Sequence, residues 1–182
     1  MHGVSTNQLH TELLHRMLVA RHFAERGVPV PVLEDLDFVI GLGEEAVLIG
    51  LSAALASTDA LVRHHLPADH AGVPGSLVVC VHERPGRLPV SFRPALTTEE
   101  PEPASAEAID GLDVEAVLAC ASRIARAVRS GGGTGLMELD VSGPADPIEI
   151  LTVRMRAAHE LDDNALRAID GHATRQVLAA LR

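Results

Sequence analysis

Arg63, His64, His65, Asp69 and His70 fall within eight consecutive residues and form the densest polar cluster of the chain. Arginine is a strong phosphate binder because its planar guanidinium makes paired, charge-assisted hydrogen bonds. Histidine titrates near neutral pH and can move a proton or polarise an acyl oxygen. One reading of the cluster is therefore an active-site loop, with Arg63 on a phosphate and His64, His65 or His70 moving a proton. A second is a metal site built from His65, Asp69 and His70, which have the ligand types but match no established zinc spacing, so no metal is assigned. The third is the plainest: loop histidines are often simply solvated or sit at helix ends.

Four other features carry weaker chemical signals. Gly131-Gly132-Gly133-Thr134-Gly135 has the glycine density of a phosphate loop, but it follows a helical pattern and precedes a strand-like one. Phosphate is held at a helix N-terminus, so the run reads as a helix stop and tight turn. Glu44 and Glu45 could serve as acid or base, although carboxylates in a first helical turn more commonly complement the helix dipole. Glu83 could supply an oxygen ligand for magnesium, but next to Arg84 it reads as part of a solvated turn. Cys80 lies inside the apolar run Ser76–His82 and reads as a core thiol.

The chain has 182 residues, a formal charge of −10 and only three aromatic residues, Phe23, Phe38 and Phe92. Its size suits one domain with a core of Leu, Val, Ile and Ala. The acidic balance disfavours nucleic acid and anionic membrane surfaces. All fifteen basic residues are arginines. Without lysine there is no Walker-type phosphate loop, no Schiff base and no lipoyl or biotinyl arm on this chain. The arginine bias fits GC-rich bacterial coding. Cys80 and Cys120 are expected to be reduced core thiols of a cytoplasmic protein, and the polar start is expected to carry no signal peptide.

These residues need elements to position them. Leu9, Leu13, Met17, Ala20 and Ala24 recur at helical spacing between Thr6 and Arg26, with Thr6 or Asn7 as cap and Gly27 as stop. Val28–Val32 contains two prolines and reads as an extended loop. Ala46–Ala56 is a helix with no polar face, so it must be buried within the domain or between subunits. Residues 60–75 read as a turn-rich loop, Ser76–His82 as a buried strand and Leu88–Phe92 as a short second strand. The acidic, proline-rich segment 94–106 is expected to separate two halves of a single domain, 1–182. Asp113 caps a helix to Ser130, Leu136–Val141 is strand-like, and Asp146-Pro147-Ile148-Glu149 is a strong helix start. Asp162 or Asp163 opens the last helix. The expected fold is α/β, a small, mainly parallel sheet flanked by helices with helical termini. Two or three strands make a small sheet, so a partner could complete it or cover it.

Several segments, in order along roughly two-thirds of the chain, together resemble one family: the α subunit of the thiamine-diphosphate-dependent first component of 2-oxo acid dehydrogenases (pyruvate, acetoin and branched-chain types). Met17–Arg26 resembles the family's first helix. Gly43-Glu44-Glu45-Ala46-Val47, with Gly50, Ala53-Ala54-Leu55 and Asp59, resembles its Gly-Gln-Glu-Ala-Val helix and the turn after it. Ile109–Val117 resembles the VDG-x-D-x-x-A-V segment, followed by a Leu-x-Glu strand at Leu136–Leu139. Asp146–Glu149 and Leu161–Val177 resemble the two C-terminal helices.

The resemblance implies a reduced thiamine-diphosphate-binding-type fold and a hetero-oligomer with a β-like dehydrogenase subunit, or else a homodimer. It implies 2-oxo acid decarboxylation and acyl transfer to a lipoyl or acyl carrier protein, with Arg63 toward the cofactor and His64, His65 and His70 as catalytic candidates. The departures are specific. The family's Gly-Asp-Gly turn and paired asparagines, which hold the magnesium and diphosphate, are missing, and Glu83-Arg84-Pro85 stands where the asparagines belong. The histidine ahead of the Gly-Gln-Glu-Ala helix falls at Val39. Val141-Ser142-Gly143-Pro144 runs directly into the Asp146 helix, without the substrate-side GHS stretch. Thiamine diphosphate and magnesium are therefore expected only with a partner subunit, if at all. The alternative expectation is a non-catalytic structural or interaction subunit.

Overall fold

Ser5, rather than Thr6 or Asn7, starts the first helix: its hydroxyl accepts the Gln8 N–H at 3.2 Å. Leu9 is exposed, and His10, Leu13, Leu14, Met17 and Phe23 lie on the buried face. The computed structural model describes residues 5–33, 36–38, 41–63, 75–82, 84–95, 97 and 106–182. Its elements are α1 (Thr6–Ala24), β1 (Val30–Leu33), β2 (Leu36–Phe38), α2 (Glu45–Ala54), β3 (Ala60–Arg63), β4 (Leu77–Val81), β5 (Arg87–Pro94), β6 (Glu107–Asp110), α3 (Val114–Arg129), β7 (Gly135–Asp140), α4 (Pro147–Ala157) and α5 (Asp163–Ala180).

The fold is α/β, with helices at both ends of the described chain and a five-stranded sheet in the order β3-β4-β5-β7-β6. The pairs at its two edges are parallel, and β5 runs antiparallel to both of its neighbours, β4 and β7. The reason is local. Glu107–Asp110 and Gly135–Asp140 are joined through a helix, which lets them run parallel, whereas the short connection between β4 and β5 turns the chain back on itself. Gly86, at φ +71°, closes that turn. Because β5 pairs with β7, residues on either side of the acidic segment share one sheet.

Four strands lie outside the strand-like stretches of the sequence. The proline-bearing segment 30–33 pairs with 36–38 as a separate two-stranded ribbon, and β3 and β6 form the two edges of the main sheet. The central strands match their expected positions.

Leu61, Val79, Val81, Val90, Phe92, Met137 and Leu139 project from the sheet into the main core, together with the apolar sides of α1, α2 and α3. Val62, Val78 and Cys80 form a smaller second cluster from alternate positions of β3 and β4. Cys80 and Cys120 are both buried thiols, and burial pushes the Cys120 thiol up.

The apolar helix α2 is covered by its own chain. It packs chiefly on α3, with α1 and α4 completing the cover, and Ala46, Leu48 and Leu51 are almost wholly inaccessible. Its burial therefore needs no partner subunit. Gly50 is the point of closest approach: a Cβ there would lie 2.7 Å from Val117 Cβ. Asp113, Asp146 and Asp162 cap α3, α4 and α5, each accepting backbone N–H groups of the first turn. Gly131 (φ +86°) and Gly133 (φ +74°) end α3 in the left-handed region, as a helix stop requires. Among the described residues no helix is long and apolar enough to cross a membrane.

Candidate functional site

Arg21 projects from α1 into the junction of three segments. Its Nε donates to Glu45 Oε1 at 2.5 Å, and Nη1 and Nη2 donate to Asp146 Oδ2 and Oδ1 at 2.9 and 3.0 Å. Glu45 is fully buried at the start of α2, and its second oxygen accepts the Gly43 N–H at 3.0 Å. Asp146 also accepts the Ile148 N–H as the cap of α4. Its hydrogen bonds from Arg21 hold its carboxyl below the usual carboxylate range, against the opposing effect of burial. One guanidinium thus ties the first helix, the Gly43–Val47 segment and the Asp146–Glu149 helix start together. A cavity of about 470 Å³ opens beside it, lined in part by Gly43, Leu112, Gly143 and Asp146.

A second hub lies nearer the start of α1. His10 is buried; its Nδ1 is 2.5 Å from Glu160 Oε2 and its Nε2 is 2.9 Å from Glu115 Oε1. Both ring nitrogens face carboxylates, an arrangement that requires both to donate and therefore favours the imidazolium. Burial lowers the His10 pKa, but the two glutamates outweigh it, and the net shift is upward. Arg154 on α4 continues the network to Asp113, the cap of α3, with Nη2 2.6 Å from Oδ2, and it also pairs with Glu115. Burial raises the pKa of Asp113 and Glu115, but Arg154 and the other hydrogen-bond donors lower both overall.

Asp59 is the third buried anchor. It accepts the Ala56 N–H and the Leu77 N–H, each at 2.8 Å, and pairs with Arg129 at the end of α3. It fixes the start of β3 against the start of β4. Glu45, Asp59, Asp113 and Asp146, four carboxylates of the resembling segments, are thus committed to arginines and backbone N–H groups. None stands as an available acid, base or metal ligand.

Of the sequence-derived site residues, Arg63 ends β3, with its backbone opposite Val81. Its side chain, His64, His65, Asp69 and His70 lie outside the described residues, as do Val39 and Glu83. Among the described residues no group of three His, Cys, Asp or Glu side chains is placed to hold a metal ion. A magnesium-bound diphosphate needs several oxygen ligands around the cation. Glu45, Asp59, Asp113 and Asp146 are paired elsewhere and do not fit as oxygen ligands of such a cation. Sequence periodicity passed over Arg21 and His10, because both are polar residues within an apolar helical stripe. That intrusion is itself a signal of buried pairing.

No protein-family model matches the chain, and no match is found among curated proteins.

Proposed function

We propose that this chain is a cytoplasmic, α-subunit-like component of a thiamine-diphosphate-dependent 2-oxo acid dehydrogenase-type assembly. Its role is to build and brace that assembly with a separately encoded β-like subunit, not to hold the diphosphate and magnesium. The observation that carries the reading is the Arg21 junction. The segments that resemble the family at 17–26, 43–47 and 146–149 are far apart in sequence, yet they meet at one guanidinium. Their carboxylates serve cohesion, which is what a retained scaffold without its cofactor cradle needs. Co-expression with the β-like subunit, followed by mass photometry, tests the pairing. A hetero-oligomer that survives dilution is expected; a homodimer, or separate subunits, would overturn it.

One observation favours a catalytic second reading. β3 runs parallel to β4 and ends at Arg63. In open α/β sheets, ligands bind beyond the carboxyl ends of parallel strands. On this reading Arg63 contacts the cofactor phosphate, and His64, His65 and His70 serve the acyl group or its proton. Acyl transfer to a lipoyl or acyl carrier protein would follow. The substitution Arg63→Gln separates the readings: it lowers 2-oxo acid turnover by the co-purified assembly only if the loop is catalytic.

A further inference from the structure

We propose that the cleft between α1, α2 and α5 is a binding site for a small aliphatic carboxylate. The cleft has a volume of about 710 Å³, within the roughly 300–1,000 Å³ range of small-molecule sites. It is separate from the Arg21 junction, none of whose residues line it, and it does not depend on the functional reading above.

Arg16 supplies the recognition. It is half-buried in the cleft wall, and its Nη2 donates to Ser52 Oγ at 2.7 Å. The Ser52 hydroxyl in turn donates to the Ile49 carbonyl at 3.2 Å. Arg16 forms no ion pair with any described residue, whereas the inward-facing Arg21, Arg129 and Arg154 each pair with carboxylates. Burial lowers its pKa, and the charge of Glu12 on the same wall only partly opposes this. Nη2 makes the single side-chain hydrogen bond of Arg16 to a described residue, so the other guanidinium donors remain available to a ligand in the cleft. A carboxylate entering the cleft would supply the missing counter-charge in paired hydrogen bonds.

The remaining walls define the rest of the ligand. Val19, Val30, Ile49 and Ile169 offer an aliphatic surface. His15 and His172 stack with ring centroids 4.7 Å apart and planes 21° apart, forming a flat side wall. The buried Nε2 of His15 has no hydrogen-bond partner among the described residues. A single arginine with Glu12 nearby favours a monoanion over a phosphate dianion, and the aliphatic wall favours a hydrocarbon tail.

Calorimetric titration of octanoate into the full chain, with octanol and octylammonium as controls, tests the site. Saturable octanoate binding is expected, at least about tenfold tighter than octanol and with no octylammonium binding. Arg16→Gln keeps a donor for Ser52 but removes the charge, and it should weaken octanoate binding by about tenfold or more. Absence of saturable binding, equal affinity for octanol, or unchanged binding by Arg16→Gln would overturn the proposal. Should that variant fail to fold, the ring-proton shifts of His15 and His172 in the unaltered chain decide. Movement with octanoate but not octanol supports the site, and any other pattern overturns it.

Discussion

Arg21→Met should destabilise the protein by about 3–5 kcal/mol, because it strands a buried charge. Glu45 is fully buried, and without Arg21 its carboxylate keeps only the Gly43 N–H. The Asp146 side adds little: that carboxylate is 41% exposed and continues to cap Ile148, so its share is under about 1 kcal/mol. For a chain of this size each kcal/mol shifts the melting temperature by about 2–4 °C, giving an expected fall of roughly 6–20 °C. Glu45→Leu removes the stranded charge, so the double variant Arg21→Met/Glu45→Leu should recover most of the loss, since packed apolar residues replace buried ion pairs at little cost. Urea unfolding of the wild type, both single variants and the double variant at pH 7 measures the cycle. A loss below about 1 kcal/mol for Arg21→Met, or a double variant as unstable as the sum of the singles, would refute the argument that this junction holds the fold together.

Gly50→Ala gains up to about 1 kcal/mol of helix propensity, but its Cβ meets the stiff Val117 side chain, and a net loss of about 1–2 kcal/mol in urea unfolding is expected. Asp59→Ala leaves the buried Leu77 N–H without its acceptor and unpairs Arg129; about 3 kcal/mol of lost stability, with faster hydrogen exchange at Leu77, is expected. The His10 pKa is raised above 6.5 in the folded protein, so its stabilising contribution is fully present below pH 6.5 and is lost as pH rises through the raised value. His15 runs the opposite way: burial and the neighbouring His172 lower its pKa, so its contribution is present above pH 6.5 and is lost as pH falls through the lowered value. Histidine ring titrations by NMR should therefore bracket 6.5 from the two sides, and His10→Gln should remove the loss of stability that accompanies a rise of pH through the raised His10 value.

Local signals were legible in the sequence. The caps Asp113, Asp146 and Asp162, the glycine stop after α3 and the buried strand at 77–81 depend on adjacent residues alone. The strands that sequence periodicity missed are held by distant partners. Ala60–Arg63 is too short to show alternation and is defined by its pairing with β4, and Glu107–Asp110 by its pairing with β7. The two prolines at 29 and 31 read as a loop, yet a two-stranded ribbon accommodates Pro31 beside a bulge. Glu45 shows the limit of local reasoning at a site. As a first-turn carboxylate it was expected to complement the helix dipole, but its burial and its pairing with Arg21 come from a residue 24 positions earlier.

The central claim is that this chain kept a subunit scaffold and lost the diphosphate cradle. Calorimetric titration of thiamine diphosphate with magnesium into the chain co-purified with the proposed β-like subunit tests it most directly. The account predicts that magnesium-dependent, saturable heat, where the assembly gives it, is unchanged in Arg63→Gln. Saturable binding that disappears in Arg63→Gln would contradict it and return the cofactor to this chain.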